Sequence, residues 1–190
     1  MSEKFKNRFR NESARMPNWN YNDGLYFVTI NTKDRLPYFG KVTDGEVLLS
    51  EIGKIVELEW LKTPSIRPDM NIVLDEFVVM PDHFHGIIGF NNFNRCFNHR
   101  DAMRIHRRDA MCIDRRDAMH GVPTINTNKF GPQSKNLASI IRGFKSSVTT
   151  AARKLGIPFN WQPRFHEHAI RNEMELKRIA QYIRDNPANG

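Results

Sequence analysis

The sequence predicts an α+β fold in which helices pack on one face of an antiparallel sheet. Two observations support this fold class. Short runs rich in β-branched and aromatic residues, which are typical of strands, alternate with longer segments whose apolar residues recur at helical spacing. The chain has 190 residues, of which 39% are hydrophobic and 13 are Phe. That is enough apolar side chain for one domain with a substantial core.

The first half of the domain predicts a strand, a hairpin and a helix. Residues 25–30 are dense in β-branched and aromatic side chains and predict a strand. Residues 38–49 predict a small hairpin. A helix follows over 52–61, because its apolar residues keep helical spacing and Ser50 can cap its first turn. Pro64 is expected to end it.

The sequence of the second half predicts three strands and two helices. These are strands over 70–79 and 83–90, a long amphipathic helix over 137–155, a strand over 164–170 and a helix over 173–186. The order strand, helix, strand, strand, helix, strand is the split β-α-β, ferredoxin-like plan. Both crossover helices then lie on one face of the sheet. We expect the other face to be free for a ligand.

The domain organisation includes two segments outside this plan. Residues 1–20 are polar and basic and predict an N-terminal arm, and the domain itself spans 21–190. Within 91–133 the sequence Arg-Asp-Ala-Met recurs every eight residues, a period that fits neither a heptad nor a strand pair. We expect a low-complexity insertion that forms a long loop. Its two cysteines and three histidines match no zinc-finger spacing.

The overall charge narrows the class of partner. A formal net charge of +8 and a pI of about 9.7 favour an anionic partner, most often nucleic acid. Two cysteines imply no disulfide framework. No apolar run of about 18 residues could span a membrane, and the first residues lack the apolar core of a signal peptide. We therefore expect a cytoplasmic protein that does not bind membranes.

Two histidines one residue apart lie within the apolar strand predicted over 83–90. Because alternate residues of a strand share a face, His83 and His85 would project together while Phe84 faces the core. Imidazole suits several transition metals, and buried rings need polar partners. Asp82 is an acceptor that could orient one imidazole. The alternative is an exposed strand with two incidental histidines.

The last helix adds a hydroxyl and an amide. Tyr182 and Asn186 are four residues apart and share one helix face. A tyrosine hydroxyl is a weak nucleophile until a base, a metal or transition-state electrostatics assists it. An asparagine oxygen can complete a metal site begun by two histidines. Taken singly, Tyr182 is equally explained as a tyrosine at the core edge, and Asn186 as a cap before Pro187.

Together these segments resemble the HUH single-tyrosine transposases, and among them the REP-associated tyrosine transposases. The resemblance covers about residues 20–188 apart from the insertion. The matching segments are YFVTI at 26–30, MPDHFHGII at 80–88, IIRGFKS at 140–146, WQPRFHEH at 161–168 and YIRDNP at 182–187. One departure is Asp82, which stands where many members have Asn.

The resemblance implies a metal-dependent nuclease that acts in DNA transposition. It implies Mg²⁺ or Mn²⁺ held by His83, His85 and Asn186, with Tyr182 as the nucleophile. The protein would cleave and rejoin single-stranded DNA near hairpins through a 5′-phosphotyrosine. It would work in the cytoplasm at the nucleoid, and both a monomer and a homodimer remain open.

Four further residues are candidates for DNA contacts near the site. Arg142, Lys145 and Arg184 carry the charge that phosphate contacts need. The resemblance gives His168 a supporting role, orienting either DNA or a neighbouring side chain.

Two other functions fit the same residues. The first is a hairpin DNA- or RNA-binding protein on this fold without catalysis. The second is a metal-dependent hydrolase that uses water in place of tyrosine.

Overall fold

A computed structural model describes residues 24–90 and 134–188, together with the backbone of 4–5, 8–9 and 189. The predicted insertion at 91–133 and most of the predicted arm at 1–20 lie outside the described residues.

The core elements follow the predicted order. The strands are β1 Lys4–Phe5, β2 Arg8–Phe9, β3 Gly24–Asn31, β4 Gly40–Thr43, β5 Glu46–Leu49, β6 Val73–Val79, β7 His83–Phe90 and β8 His166–Ala169. The α-helices are α1 Glu51–Leu61, α2 Thr63–Ile66, α3 Leu137–Lys154 and α4 Glu173–Asp185. Three short elements, β1, β2 and α2, were not predicted. None of these helices is long and apolar enough to cross a membrane.

The central sheet confirms the predicted fold class. Its four strands are in the order β6-β7-β3-β8, and every neighbouring pair is antiparallel. This order and the two crossover helices α1 and α3 are those of the split β-α-β plan. Strand β6 begins later than predicted, because Pro68–Met70 form a 3₁₀ turn and Asn71 then adopts a left-handed conformation with φ of 45°.

Side-chain caps fix where the helices begin. Ser50 accepts a hydrogen bond from the Gly53 backbone N–H at 3.1 Å, as the sequence predicted. Asn136 and Ser139 form a reciprocal capping box at the start of α3. Leu155, predicted to extend the apolar stripe of α3, is 54% exposed because the helix ends one residue before it.

The larger core lies between the sheet and the pair α1 and α3. Trp60 of α1 packs on Phe84 of β7, with ring centroids 4.7 Å apart. Gly86 permits this approach, because a Cβ there would lie 2.9 Å from atoms of both rings. Other buried members of this core include Val28, Ile30, Ile140 and Phe144. Alternate residues of β7, including both histidines, therefore project from the opposite face.

That opposite face is covered in part by α4. Ile179, Ala180 and Ile183 of the helix pack on Leu25 and Ile87 of the sheet. The helix contacts mainly β6 and β7. We expected this whole face to be free for a ligand. The part that α4 leaves uncovered lies beside the helix, over β3 and β8.

Candidate active site

The two histidines of β7 lie side by side on the face that carries α4. Their ring centroids are 4.6 Å apart, and the ring planes meet at 73°. His85 is only 5% exposed, and the side chain of His83 is 13% exposed. Since the strand alternates, Phe84 between them is fully buried in the larger core. The rings thus project together, as the spacing predicted.

One ring nitrogen of each histidine is already engaged. His83 Nδ1 lies 2.6 Å from Asp82 Oδ1, and His85 Nδ1 lies 2.8 Å from Thr29 Oγ1. An ionised carboxylate only accepts, so His83 donates from Nδ1. No hydrogen bond uses either Nε2 within the described ranges. The Nε2 of His83 is therefore available to a ligand, and the Nε2 of His85 is available in the tautomer whose Nδ1–H donates to Thr29. Asp82 is the acceptor that the sequence predicted.

Burial keeps His85 uncharged. Loss of solvent, followed by the nearby charges of His83 and Arg35, lowers the pKa of His85 to about 3, although the Asp82 carboxylate opposes the shift. At neutral pH the imidazole is therefore neutral. The neutral ring is the form that coordinates a metal.

Tyr182 of α4 joins the histidines from the other end of the domain. Its ring centroid lies 5.5 Å from that of His85, and its side chain is 51% exposed. Phe27 of β3 lies under both rings: it stacks on His85 at 5.2 Å and meets Tyr182 edge-on at 6.2 Å. The tyrosine is therefore held beside the histidines while one side of it stays open to solvent.

Phe27 and Thr29 are site residues that the sequence analysis missed. Both lie in the predicted strand 25–30, and their odd-numbered positions share a face. Pairing of Thr29 with His85 in the sheet brings that face beside the histidines. The alternation of the strand could have assigned them to this face, but only the register shows which histidine each one meets.

Contacts at both ends fix the path of α4 across the sheet. At its start, Glu175 Oε1 lies 2.7 Å from His168 Nε2 of β8. Near its end, Arg184 Nη1 lies 2.6 Å from Glu76 Oε1 of β6. The helix thus crosses from β8 to β6, with Tyr182 between the two contacts.

Asn186 follows one turn after Tyr182. It is the C-cap of α4, where its backbone N–H donates to the Ile183 carbonyl oxygen. Its side chain makes no hydrogen bond to either imidazole in the described part of the chain.

The donors at this site limit which metal it would accept. Across 24–90 and 134–188, no three His, Cys, Asp or Glu side chains come together as a metal-binding group. The metal-ligating side chains that the described structure brings together at this site are the two imidazoles, with ring centroids 4.6 Å apart. This nitrogen-rich set suits Mn²⁺ or another first-row transition ion better than Mg²⁺, which prefers oxygen ligands.

Two of the predicted DNA contacts do not lie beside the histidines. Arg142 and Lys145 belong to α3, which packs on the opposite face of the sheet. Lys145 Nζ also donates to the carbonyl oxygens of Gln162 at 2.7 Å and Arg164 at 2.9 Å. The apolar stripe of α3 packs in the core with α1, so these two residues start from the face opposite the histidines, and their contacts with DNA stay predictions.

Arg184 and His168 do lie on the face of the site. Each is joined to a carboxylate, Arg184 to Glu76 and His168 to Glu175. Their proposed contacts with DNA stay predictions.

The carboxylate of Glu175 anchors the start of α4, and its loss should weaken the fold in a pH-dependent way. The backbone N–H of Arg171 and then the His168 side chain lower the pKa of Glu175. A lowered pKa stabilises the fold above the usual carboxyl range, and this stability is lost as pH falls through the lowered value. We expect Glu175→Gln to cost about 0.5 kcal/mol at pH 7 and almost nothing at pH 3.

Urea denaturation of both proteins at the two pH values measures this difference. The control is Glu46→Gln, an exposed residue of β5 without an ion pair in the described structure. A cost for Glu175→Gln that is equal at both pH values would contradict the role of the carboxylate charge.

Known proteins resemble this chain both in sequence and in fold. No known protein-family profile matches the chain. An uncharacterized protein of Haemophilus influenzae is 33% identical over 179 residues, which are 92% of this chain and 87% of that protein.

Among solved structures, a REP-associated tyrosine transposase bound to a REP hairpin superposes with a TM-score of 0.53 at 21% identity. The match covers 94% of this chain and 74% of the other. A structure from Deinococcus radiodurans described as a candidate transposase gives a TM-score of only 0.40 at 15% identity, over 91% of this chain and 97% of the other. Only the first of these likenesses is close enough to show a common fold.

Proposed function

We propose that this chain, which belongs to the same family as the Haemophilus influenzae protein and has the fold of a REP-associated tyrosine transposase, cleaves and rejoins single-stranded DNA. Tyr182 would be the nucleophile, and the two histidines of β7 would coordinate the metal ion. The convergence of Tyr182 with His83 and His85 carries this proposal. These residues come from separate elements far apart in sequence, yet the tyrosine ring lies 5.5 Å from His85.

The protonation and exposure of the site suit a phosphoryl transfer. His85 is neutral and buried, so in the tautomer whose Nδ1–H donates to Thr29 its Nε2 can bind a cation without first losing a proton. Tyr182 is half exposed, so a DNA phosphate can reach its hydroxyl. His83, His85 and Asn186 would hold a divalent ion. When bound, that ion would polarise a phosphoryl oxygen and offset the charge that develops in transfer.

The covalent step balances without an external energy source. The Tyr182 oxygen forms a bond to phosphorus, and the bond between phosphorus and the 3′ oxygen breaks. The tyrosine loses its proton, and the departing oxygen gains one, leaving a 5′-phosphotyrosine and a free 3′-hydroxyl. Because the new ester keeps the energy of the broken one, the reverse reaction rejoins DNA without ATP. Consistently, the sequence has no Gly-x-x-x-x-Gly-Lys phosphate-binding motif.

Hairpin DNA is the substrate class that the comparison favours. The solved structure with the same fold is a transposase bound to a REP hairpin. The net charge of +8 on this chain suits a polyanion. Beside α4, the face over β3 and β8 is left open next to Tyr182, and a single strand could lie there.

A labelled-oligonucleotide assay tests the proposal. The full chain is mixed with single-stranded oligonucleotides that carry hairpins from around its own gene, with Mn²⁺ or with a chelator, and resolved on a denaturing gel. We expect a DNA band shifted by the mass of the protein with Mn²⁺, and none with chelator.

Each other outcome points to a different function. Cleavage without a shifted band would indicate a hydrolase that uses water. Tight hairpin binding with neither cleavage nor adduct would indicate a binding protein that lacks catalysis. Both results would overturn the proposed tyrosine chemistry.

A further inference from the structure

The turn before His83 is held from outside by an arginine that the sequence analysis did not single out. Arg35 Nε lies 2.7 Å from Asp82 Oδ2, while Asp82 Oδ1 lies 2.6 Å from His83 Nδ1. Asp82 thus gives one oxygen to each partner. A carboxylate that accepts from two sides cannot rotate away from either one without losing a charge-assisted hydrogen bond.

Arg35 is itself fixed in place. Its Nη1 donates to Asn31 Oδ1 at 3.1 Å, so two nitrogens of one planar group point at two acceptors. The backbone of Asp34 and Arg35 adopts φ of 55° and 56°, a left-handed conformation that is uncommon outside glycine. Such backbone persists where the surrounding structure over-determines it. Here it places the guanidinium beside Asp82, directly before the start of β7.

The main chain reinforces the same connection. Thr32, which is fully buried, donates its backbone N–H to the Asp82 carbonyl at 2.9 Å. The Thr32 hydroxyl lies 2.9 Å from the same carbonyl oxygen. The end of β3 and the residues after it therefore hold both the backbone and the side chain of Asp82.

We propose that Arg35 is a positioning residue: through Asp82 it keeps the proton of His83 on Nδ1 and leaves Nε2 free for the active centre. The effect of Arg35 on cleavage rests on the proposed function. The effect of Arg35 on the His83 proton does not, because it can be observed without metal or DNA. Without Arg35, the Asp82 carboxylate keeps only the neutral His83 as a side-chain partner in the described structure and can turn toward solvent. The imidazole then loses the acceptor that fixes its orientation.

A competing role for Arg35 is direct contact with a DNA phosphate, since its side chain is 54% exposed. The two roles differ in what they require. A positioning role acts only through Asp82 and shows in the protein without DNA. A phosphate contact needs no Asp82 and shows only in DNA affinity.

The first measurement is the side-chain nitrogen spectrum of the histidines in the metal-free full chain, at a pH where the imidazoles are neutral. Long-range ¹H–¹⁵N correlation shows which nitrogen of His83 carries the proton. We expect only Nδ1 in the wild type and in Arg153→Gln, an exposed arginine of α3. In Arg35→Gln and in Asp82→Ala we expect both tautomers. A single Nδ1–H tautomer in Arg35→Gln would overturn the proposal.

The second measurement is Mn²⁺ affinity in a double-mutant cycle. Arg35→Gln should weaken Mn²⁺ binding roughly tenfold in the wild type and have no further effect in Asp82→Ala. Arg35→Lys should keep only part of the affinity, because one ammonium cannot reproduce the two directed donors. An equal loss in both backgrounds, or a loss of hairpin affinity alone, would overturn the positioning role.

Two controls separate this inference from the proposed function. Melting curves check that each variant folds, and Asp82→Asn replaces Asp82→Ala if the latter does not. A wild type that neither binds Mn²⁺ nor forms a DNA adduct would reject the proposed function. The tautomer of His83 would still decide the role of Arg35.

Discussion

Replacing Tyr182 by Phe is expected to abolish the covalent DNA adduct and cleavage while leaving hairpin binding almost unchanged. The substitution removes only the hydroxyl, and the ring contacts with Phe27 and His85 can remain. Loss of a catalytic nucleophile lowers turnover by many orders of magnitude, here at least about 10³-fold. Phosphate contacts, which supply most nucleic-acid affinity, are untouched. The measurement is adduct yield on a denaturing gel beside a filter-binding titration.

Tyr38→Phe is the matched control for this substitution. It removes a second phenolic hydroxyl, from a tyrosine that packs edge-on against Phe159 rather than against the histidines. We expect Tyr38→Phe to form the adduct at the wild-type rate. A Tyr182→Phe protein that still cleaved would show that water or another residue is the nucleophile.

His83→Ala and His85→Ala are each expected to reduce cleavage at least about 100-fold with little loss of hairpin affinity. Each substitution removes one of the two imidazoles that would coordinate the metal ion. Without that ion, the negative charge that develops in the transition state is not offset. Hairpin affinity depends mainly on phosphate contacts and should persist. Single-turnover cleavage at several Mn²⁺ concentrations measures the effect.

The two histidine variants should also differ from each other. His85 is the more buried ring and stacks on Phe27, so its removal leaves a cavity and should lower the melting temperature. His83 is more exposed and held mainly by Asp82, so its removal should cost less stability. Wild-type turnover in either variant would remove the metal-site proposal.

The elements that define the fold were predictable because their signals are local. Strand alternation placed both histidines on one face, and helical spacing predicted the helix whose Ile179 and Ile183 pack on the sheet. Caps such as Ser50 marked helix starts from single residues. These features depend on neighbours in sequence and need no knowledge of the tertiary structure.

The layout of the site was less predictable because it depends on which faces meet. The split β-α-β plan places α3 on the face opposite the ligand, but it does not give the distance from Arg142 or Lys145 to the histidines, so their contacts with DNA stay predictions. The role of Phe27 requires the register between β3 and β7. Arg35 reaches Asp82 from a left-handed stretch of backbone in which neither Asp34 nor Arg35 is a glycine, so no residue type there signals it clearly.

The central claim is that Tyr182 carries the DNA, and mass spectrometry of the adduct tests it most directly. The chain is reacted with a hairpin oligonucleotide and Mn²⁺, then digested with nuclease and trypsin. The account predicts a nucleotide phosphate on the tryptic peptide 179–184, which contains Tyr182 and no other tyrosine. A phosphate on any other peptide, or DNA cleaved with no modified peptide, would contradict it.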